Sequence, residues 1–292
     1  MVNACEVSTA VRLRIESEIT FLAASIPSAL RDEIIRDLTL ENPAYRSALR
    51  AGRSTFSISR HITVWRIERG MMILPRGYMV ILLQRLQAHD VICEIDDQRL
   101  TLAAVGFSSR IQLRPEQVPA VGELVRIGQG GLVAPCGSGK TTMGLETIAF
   151  IGQPALVIVH TRELADQWVD RAYQFLNIPL EEIGILGGGK YRIGPRLTIG
   201  LVQTLSRKDL TKIQGRFGLV LLDEAHHAPA ATFRRVLGSF PAHYRLWLSA
   251  TPERNDGLHP ILYAVGGSIL YQIDRSQLRT ITPALHVVET GF

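Results

Sequence analysis

The chain has few cysteines and no long apolar segment. Its three cysteines, Cys5, Cys93 and Cys136, are widely separated among 292 residues, which argues against a disulfide scaffold and against a zinc module. The most apolar stretch, residues 71–83, is interrupted by a proline and an arginine, so no membrane-spanning helix is expected. The N-terminus lacks the apolar core of a signal peptide. We therefore expect a cytoplasmic protein, nucleoid-associated if it binds DNA, with no membrane partner.

Lysine is scarce as well. Of 32 basic residues, 28 are arginine and four are lysine, and the net charge is +5. A basic chain suits a polyanionic partner, because neutralising phosphates releases counterions. Residues 41–90 hold eight arginines against three acidic residues. This region is either a solvated charged face or a nucleic-acid docking surface, with Tyr45, Phe56, Trp65 and Tyr78 available to stack or to pack.

Short apolar runs alternate with helical patterns from about residue 109 onward. The runs do not alternate with polar residues, which is typical of strands buried on both faces of a parallel sheet. Strand–helix alternation predicts an α/β domain with flanking helices and right-handed crossovers. The predicted strands are 130–135, 155–160, 197–203, 217–225, 244–251 and 267–273, and the predicted helices are 141–151, 161–176 and 228–240.

The first part of the chain, residues 1–108, is predicted to form a small α+β domain that engages DNA, ahead of an ATP-binding domain over residues 109–292. Its patterns are less regular than those of the second part. We expect helices over 7–39, in at least two pieces broken at Pro27, and over 77–89, a strand within 55–67, and a hairpin over 91–103 with its turn near Asp96 and Asp97.

The segment APCGSGKTT, residues 134–142, lies between an apolar run and a helical pattern. That context is the one required by a phosphate-binding loop. Glycine lets the backbone bend so that successive N–H groups face phosphate oxygens, and the helix N-terminus favours anions. Lys140 is expected to reach the β- and γ-phosphates, and the hydroxyl of Thr141 to bind Mg²⁺. The predicted nucleotide-binding residues of the loop are Gly137, Ser138, Gly139, Lys140, Thr141 and Thr142.

A pair of acids, Asp223 and Glu224, follows the apolar run 217–222. Ligands of open α/β sheets bind at the carboxyl ends of strands. With a phosphate loop upstream, Asp223 is expected to hold Mg²⁺, and Glu224 to act as the base that activates water. An isolated Asp-Glu pair is otherwise often a solvated turn.

Five motifs occur in order along the second part of the chain. They are AxxGSGKT (134–141), HTRELADQW (160–168), TIGLVQTL (198–205), DEAHH (223–227) and LSATPERNDG (248–257). Together they resemble the motifs of superfamily 2 helicases and translocases, most of all the XPB-type repair helicases and the phage UvsW helicase. The resemblance covers about residues 115–275 and implies a RecA-like fold that uses ATP and Mg²⁺ to move along DNA, with RNA also possible.

The resemblance also implies roles for single residues. It implies that Gln117 reads the adenine edge with the help of Arg114, while Arg254 and Asp256 fall in an extension without assigned chemistry. For each residue implied to contact nucleic acid, the alternative is an ordinary structural role, as a helix cap or as part of a loop. The residues implied to contact the nucleic-acid backbone are Thr161, Arg162, Gly188, Lys190, Gln203 and Thr204, and those implied to couple ATP state to binding are Ser249, Ala250 and Thr251.

Members of this family use a second RecA-like lobe that supplies arginine fingers, and the sequence contains no QxxGRxxR pattern. We therefore expect the N-terminal domain and first lobe of a longer helicase, and slow ATP hydrolysis by this chain alone. Two other hypotheses remain: a nucleic-acid-binding scaffold that does not hydrolyse ATP, and the motor part of a restriction or defence nuclease.

Overall fold

The computed structural model describes residues 10–225, 230–251 and 257–277. The expectations for Arg254 and Asp256 lie outside these residues, as do the two histidines that follow Ala225. Within the described ranges, no helix has the length and apolar character needed to cross a membrane.

Residues 10–97 fold around a five-stranded sheet with the strand order β5-β6-β2-β1-β7. Strands β3 and β4 pair separately as an antiparallel two-stranded sheet. The elements are β1 (Val11–Ile15), β2 (Glu18–Leu22), α1 (Ser28–Asp37), β3 (Thr39–Glu41), α2 (Pro43–Arg50), β4 (His61–Thr63), β5 (Arg66–Glu68), β6 (Met71–Pro75), α3 (Met79–Ala88) and β7 (Cys93–Asp97).

The expected helix is wrong for residues 11–22, which form the antiparallel strands β1 and β2. In β1, Leu13 is buried while Arg12 and Arg14 on either side are exposed. That alternation has the period of two that a strand facing a core requires. The helix expected after Pro27 is confirmed as α1, and the one expected over 77–89 is confirmed as α3.

The hairpin expected over 91–103 is also wrong. Strand β7 pairs in parallel with β1, and Asp96 accepts a hydrogen bond at 2.9 Å from Arg12 on that strand. The chain then leaves the small sheet and reaches the large-sheet part, where the N–H of Leu100 donates to the carbonyl of Pro241. The register pairs Val11 with Cys93, so no local turn joins β7 to its partner strand.

The second part of the chain forms an eight-stranded sheet in the order β11-β10-β12-β9-β13-β14-β8-β15, parallel throughout except for the pair β10–β11. This confirms the predicted α/β class and the positions of the predicted strands. The elements are α4 (Gln117–Ile127), β8 (Gln129–Val133), α5 (Lys140–Ile151), β9 (Ala155–Val159), α6 (Arg162–Leu176), β10 (Gly184–Gly187), β11 (Lys190–Arg192), β12 (Leu197–Leu201), α7 (Val202–Leu205), β13 (Leu219–Leu222), α8 (Ala230–Gly238), β14 (Tyr244–Ser249), α9 (His259–Gly266) and β15 (Ile269–Gln272).

Helices cover both faces of the large sheet. Helices α4, α5 and α6 pack on one face in a separate apolar core. Helices α7, α8 and α9 pack on the other face, and that core is continuous with the core of the small sheet. The two sheets therefore share buried apolar contacts. The division between residues 108 and 109 stays a prediction, since the N–H of Val105 already donates to Gly152 of the large-sheet part.

Two buried arginines join the sheets, and we call Arg76 and Arg245 the two-arginine joint. Each is about 1 % exposed. Arg76, which follows β6, donates to the carbonyls of Ala242 at 2.7 Å and His243 at 3.3 Å beside the large sheet. Arg245 in β14 donates in return to the carbonyl of Ser17 at 3.0 Å. Burial lowers the pKa of both guanidinium groups, that of Arg245 to about 9, because a charge inside the protein loses its hydration.

Candidate active site

The predicted phosphate loop connects β8 to α5, which begins at Lys140. Gly137 and Gly139 have φ angles of 81° and 85°, a region that only glycine adopts readily. A Cβ atom added to Gly139 would lie 2.6 Å from Nε2 of Gln117. The loop therefore needs glycine at residue 139 both for its backbone conformation and for its contact with Gln117.

One cavity of about 550 Å³ brings the loop and the two acids together. Lys140 is 8 % exposed, and its Nζ lies 3.1 Å from the carbonyl oxygen of Ala134 and 3.6 Å from Oε1 of Glu224. The expected convergence of amine and carboxylates is therefore present. The cavity is lined by Gln112, Arg114, Gln117, Cys136, Gly137, Gly139, Lys140, Thr141, Thr142, Leu164, Gln167, Arg171, Asp223 and Glu224.

Asp223 is 4 % exposed and accepts two hydrogen bonds. Its Oδ2 accepts from Nε1 of Trp168 at 2.7 Å, and its Oδ1 accepts from the N–H of Glu224 at 2.9 Å. Burial raises the pKa of the Asp223 carboxyl, while the Trp168 hydrogen bond works against that rise. A buried carboxylate and the hydroxyl of Thr141 in one cavity are hard oxygen ligands of the kind that Mg²⁺ prefers.

Glu224 has a φ of 49°, in the left-handed region. A non-glycine residue pays about 1–3 kcal/mol for such a backbone, and such strain clusters at functional sites. This conformation turns the chain sharply at the end of β13, where the Glu224 carboxyl approaches Lys140 and its N–H reaches Asp223.

Gln117 and Arg114 hold the phosphate loop from one side. Nε2 of Gln117 donates to the carbonyl of Ser138 at 2.7 Å, and the guanidinium of Arg114 donates to the same oxygen. Ser138 is fully buried, its side chain does not line the cavity, and its N–H donates to Pro135. The predicted contact of Ser138 with phosphate and of Gln117 with adenine both stay predictions.

Several of the residues implied to contact nucleic acid lie at the carboxyl ends of β9, β10 and β12. Arg162 donates to the carbonyl of Gly188 at 3.0 Å, and Gln203 donates to that of His160 at 2.7 Å. Thr161 caps α6, since its Oγ1 accepts from the N–H of Leu164 at 3.2 Å. We call the surface formed by Thr161, Arg162, Gly188 and Gln203 the strand-end surface.

The remaining two residues of that set lie beside it. Lys190 is exposed at the start of β11 and pairs with Gly187 in β10. Thr204 is half-buried in the short helix α7, which directly follows β12.

The residues implied to couple ATP state to binding lie between the phosphate loop and the acids. The N–H of Ala134 donates to the carbonyl of Ser249 at 3.0 Å, which joins β14 to the start of the loop. The Ser249 hydroxyl donates to the carbonyl of Thr251 at 2.6 Å, and Ala250 between them is half-buried. The N–H of Ala225 donates to Leu248 of the same strand. A movement at the end of β14 would therefore displace both the phosphate loop and the two acids that line the cavity.

Sequence reasoning missed the inner face of α6. Leu164, Gln167 and Arg171 line the cavity, and Trp168 bonds Asp223. Their spacing of three and four residues places them on one side of a helix, a pattern that could have been read from the sequence once the cavity was located. Helix α6 begins at the strand-end surface, so it contacts both candidate sites.

Comparison with known proteins gives a family match over residues 110–254, to the family described as "Type III restriction enzyme, res subunit". A "DNA 3'-5' translocase XPB2" from Sulfurisphaera tokodaii is 32 % identical over 166 residues, which is 57 % of this chain and 37 % of the relative. A "DNA 3'-5' helicase XPB" from Kineococcus radiotolerans is 34 % identical over 166 residues, which is 54 % of this chain and 29 % of the relative.

The likeness extends to a phage relative and to a solved structure. A "Probable helicase D10" from Escherichia phage T5 is 31 % identical over 70 % of this chain and 44 % of the relative. The crystal structure of the UvsW helicase from bacteriophage T4 superposes with a TM-score of 0.68 at 17 % identity, over 91 % of this chain and all of that chain. This likeness confirms the RecA-like α/β fold. The chain spans less than half the length of these curated relatives. The family match over residues 110–254, the similarity to XPB-type DNA helicases and translocases, and the five ordered motifs together support a superfamily 2 helicase of the XPB type.

Proposed function

We propose that the chain is the N-terminal portion of an ATP-dependent DNA helicase or translocase. The observation that carries this proposal is the single cavity in which the amine of Lys140 lies 3.6 Å from Glu224 and shares its lining with Asp223. An amine, two carboxyl groups and a glycine-rich helix N-terminus together suit a magnesium-bound triphosphate. A volume of about 550 Å³ is in the range of small-molecule sites.

In the proposed complex, Lys140 neutralises the β- and γ-phosphates. The N–H groups at the start of α5 add the positive end of the helix dipole. Asp223 and the hydroxyl of Thr141 hold Mg²⁺, whose chemistry when bound is to neutralise charge on the phosphate oxygens. Gln117 recognises the adenine edge, and Arg114 supports Gln117 and the loop.

Glu224 is the proposed general base. It orients a water and accepts a proton from it as the water oxygen bonds to the γ-phosphorus, and the bond from that phosphorus to the β–γ bridging oxygen breaks. The products are ADP and inorganic phosphate. The pairing of Glu224 with Lys140 before nucleotide binds gives the carboxylate a fixed position, and the incoming γ-phosphate competes for the same amine.

The strand-end surface is the proposed track for the DNA backbone. Its main-chain groups and hydroxyls suit phosphate contacts that carry no sequence information. Relatives are named DNA translocases and helicases, which supports DNA as the polymer. A second RecA-like lobe elsewhere in the full-length protein is proposed to close the cavity and to supply arginines, so turnover by residues 1–292 alone is proposed to be slow.

The test is nucleotide binding and DNA-stimulated ATP hydrolysis by the full-length protein. Lys140→Ala is expected to lower affinity for a fluorescent ATP analogue, and Glu224→Gln to retain binding while hydrolysis falls at least a hundredfold. Lys212→Ala removes an exposed lysine away from the cavity and serves as the matched control.

Equal hydrolysis by the Glu224→Gln variant and the wild type would overturn the assignment of the base. Binding without hydrolysis by the wild type, with and without duplex DNA or RNA, would instead favour a scaffold that does not turn over ATP.

A second candidate function is the motor part of a restriction or defence nuclease. The description of the matched family, a restriction enzyme subunit, favours it. The two functions differ in whether the full-length protein cuts DNA. Cleavage of a circular duplex in the presence of ATP would support the nuclease, and unwinding or translocation without cleavage would exclude it.

A further inference from the structure

Residues 42–60 protrude from the small two-stranded sheet, and we call them the basic finger. They connect β3 to β4, which pair at the base through Glu41 and His61. Asn42 closes the finger, because its N–H donates to the carbonyl of Arg60 at 2.9 Å and its side chain to that of Ser59 at 2.8 Å. The finger consists of α2 and an ordered return loop.

The charge of the finger is entirely positive. It contains Arg46, Arg50, Arg53 and Arg60 and no acidic residue. Arg46 pairs at 3.3 Å with Glu41 at the base. The other three are exposed, and the ion pairs formed among the described residues do not involve them. Cations that lack protein counter-charges attract a polyanion.

Two of these arginines share one side of α2. Arg46 and Arg50 are four residues apart in the helix, so they project from the same face. Arg53 lies beyond the end of α2, after Gly52 with a φ of 63°, and begins the return loop. Both the helix and the loop of the finger thus present cations to a phosphate backbone.

The return loop of the finger presents an aromatic ring. Phe56 is 100 % exposed, so both faces of its ring are open to solvent. The loop around it is held by the N–H of Ile58, which donates to Thr55 at 3.0 Å. An exposed ring on a basic protrusion suits stacking on nucleobases, which contributes about 1–3 kcal/mol per base.

Only some DNA structures offer a base face to such a ring. In a continuous duplex every base face is covered by its neighbours. At a junction where the duplex opens into single strands, the last base pair and the first unpaired bases each have a free face. An aromatic ring flanked by phosphate-binding arginines therefore matches a junction better than an uninterrupted duplex.

We propose that the basic finger docks on duplex–single-strand junctions of DNA, with Arg50 and Arg53 on the phosphates and Phe56 stacked on the exposed base. This inference rests on the proposed function only in taking DNA as the polymer. The finger is tied to the motor, since Arg234 of α8 donates to the carbonyl of Thr63 in β4. The junction is then held in a fixed position relative to the nucleotide cavity.

The experiment compares the binding of the full-length protein to two DNA molecules. One is a forked duplex with 2-aminopurine at the junction, and the other is a relaxed, covalently closed circular duplex, which has neither ends nor unpaired bases. Phe56→Ala is expected to lower affinity for the fork by about tenfold, to abolish the quenching of 2-aminopurine that stacking produces, and to leave binding to the circle unchanged. Phe56→Trp is expected to keep all three properties.

Phe150→Ala is the matched control, because Phe150 is 65 % exposed on α5 and lies outside the finger. The double variant Arg50→Ala/Arg53→Ala is expected to reduce the salt dependence of binding to both DNA molecules. Equal loss of binding to the fork and to the circle in Phe56→Ala, or no loss in either, would overturn the stacking role. If the wild type binds neither DNA, the proposed DNA motor fails instead.

Discussion

Trp168 is fully buried, and its indole N–H donates to the carboxyl group of Asp223. The bond favours the ionised form of a carboxyl group whose pKa burial raises. One side chain on α6 therefore adjusts the charge available to a metal ion at the end of β13. Trp247 makes a similar buried bond, from Nε1 to the carbonyl of Gly267 at 3.0 Å, away from the cavity.

Trp168→Phe is expected to raise the Mg²⁺ concentration needed for half-maximal ATP hydrolysis by about tenfold, because a hydrogen bond to a charged group contributes about 1.5–3 kcal/mol. The measurement is a Mg²⁺ titration of hydrolysis by the full-length protein. Trp247→Phe is the control, and it should lower stability without moving the Mg²⁺ midpoint. An unchanged midpoint in Trp168→Phe would show that the bond is only structural.

His243 gives the molecule a pH-dependent contribution to stability. Burial, and next the charge of Arg99, lower the pKa of its imidazole in the folded protein. The unfolded chain therefore binds more protons as pH falls through the ordinary histidine range, and folding stability is lost there. His243→Gln should flatten the fall of the melting temperature between pH 8 and pH 5 relative to that of the wild type. Parallel curves for wild type and His243→Gln would contradict this expectation.

Among the elements, helix α6 connects the strand-end surface to the nucleotide cavity. Its N-terminus is capped by Thr161, which fits simple capping as well as a contact with the DNA backbone. A negative charge at this position distinguishes the two roles. Aspartate caps a helix as well as threonine does, but its carboxylate repels a phosphate group.

Thr161→Asp separates these roles. We expect it to keep the melting temperature and to weaken DNA binding, whereas Thr161→Ala should lower stability by about 1 kcal/mol. Thermal unfolding and DNA affinity are measured for both variants. If the Thr161→Asp variant binds DNA as tightly as the wild type, Thr161 only caps the helix and does not contact the DNA backbone.

The elements also show what the sequence could reveal. The central strands of the large sheet were predictable because each is a short apolar run buried on both faces, as in β9, whereas β10 and the exposed β11 were not predicted. The phosphate loop and the acids were predictable because glycine, lysine and carboxylate chemistry is local in sequence. The pairing of β7 with β1 and the bond from Trp168 to Asp223 join residues 55 or more positions apart, and no local pattern encodes such contacts. The alternation in β1 was readable, but it was taken for a helix.

At the scale of the whole molecule, the small and large sheets are joined by one continuous apolar core and by the two-arginine joint. The basic finger and the nucleotide cavity are thus parts of one connected body. The joint is unusual because its arginines donate to main-chain carbonyls, although a buried guanidinium is more often paired with a carboxylate.

Arg76→Met should destabilise the protein by about 3 kcal/mol, since it leaves buried carbonyl groups without donors. Thermal unfolding followed by both tryptophan fluorescence and circular dichroism measures the effect. Arg85→Met is the control, because Arg85 is partly exposed and pairs with Asp37, and we expect a smaller loss. A melting temperature of Arg76→Met equal to that of the wild type would contradict a role for the joint in stability.

Every acceptor at the joint is a peptide oxygen, so the side chains of the acceptor residues do not supply its chemistry; these residues are Glu16, Ser17, Phe240, Ala242, His243 and Val265. The joint therefore fixes the identity of residues 76 and 245 but only the backbone path at its acceptors, of which Phe240, Ala242 and Val265 are held separately by the apolar core. A graft of this N-terminal unit onto another motor would need one arginine in each partner, in addition to a matching apolar surface.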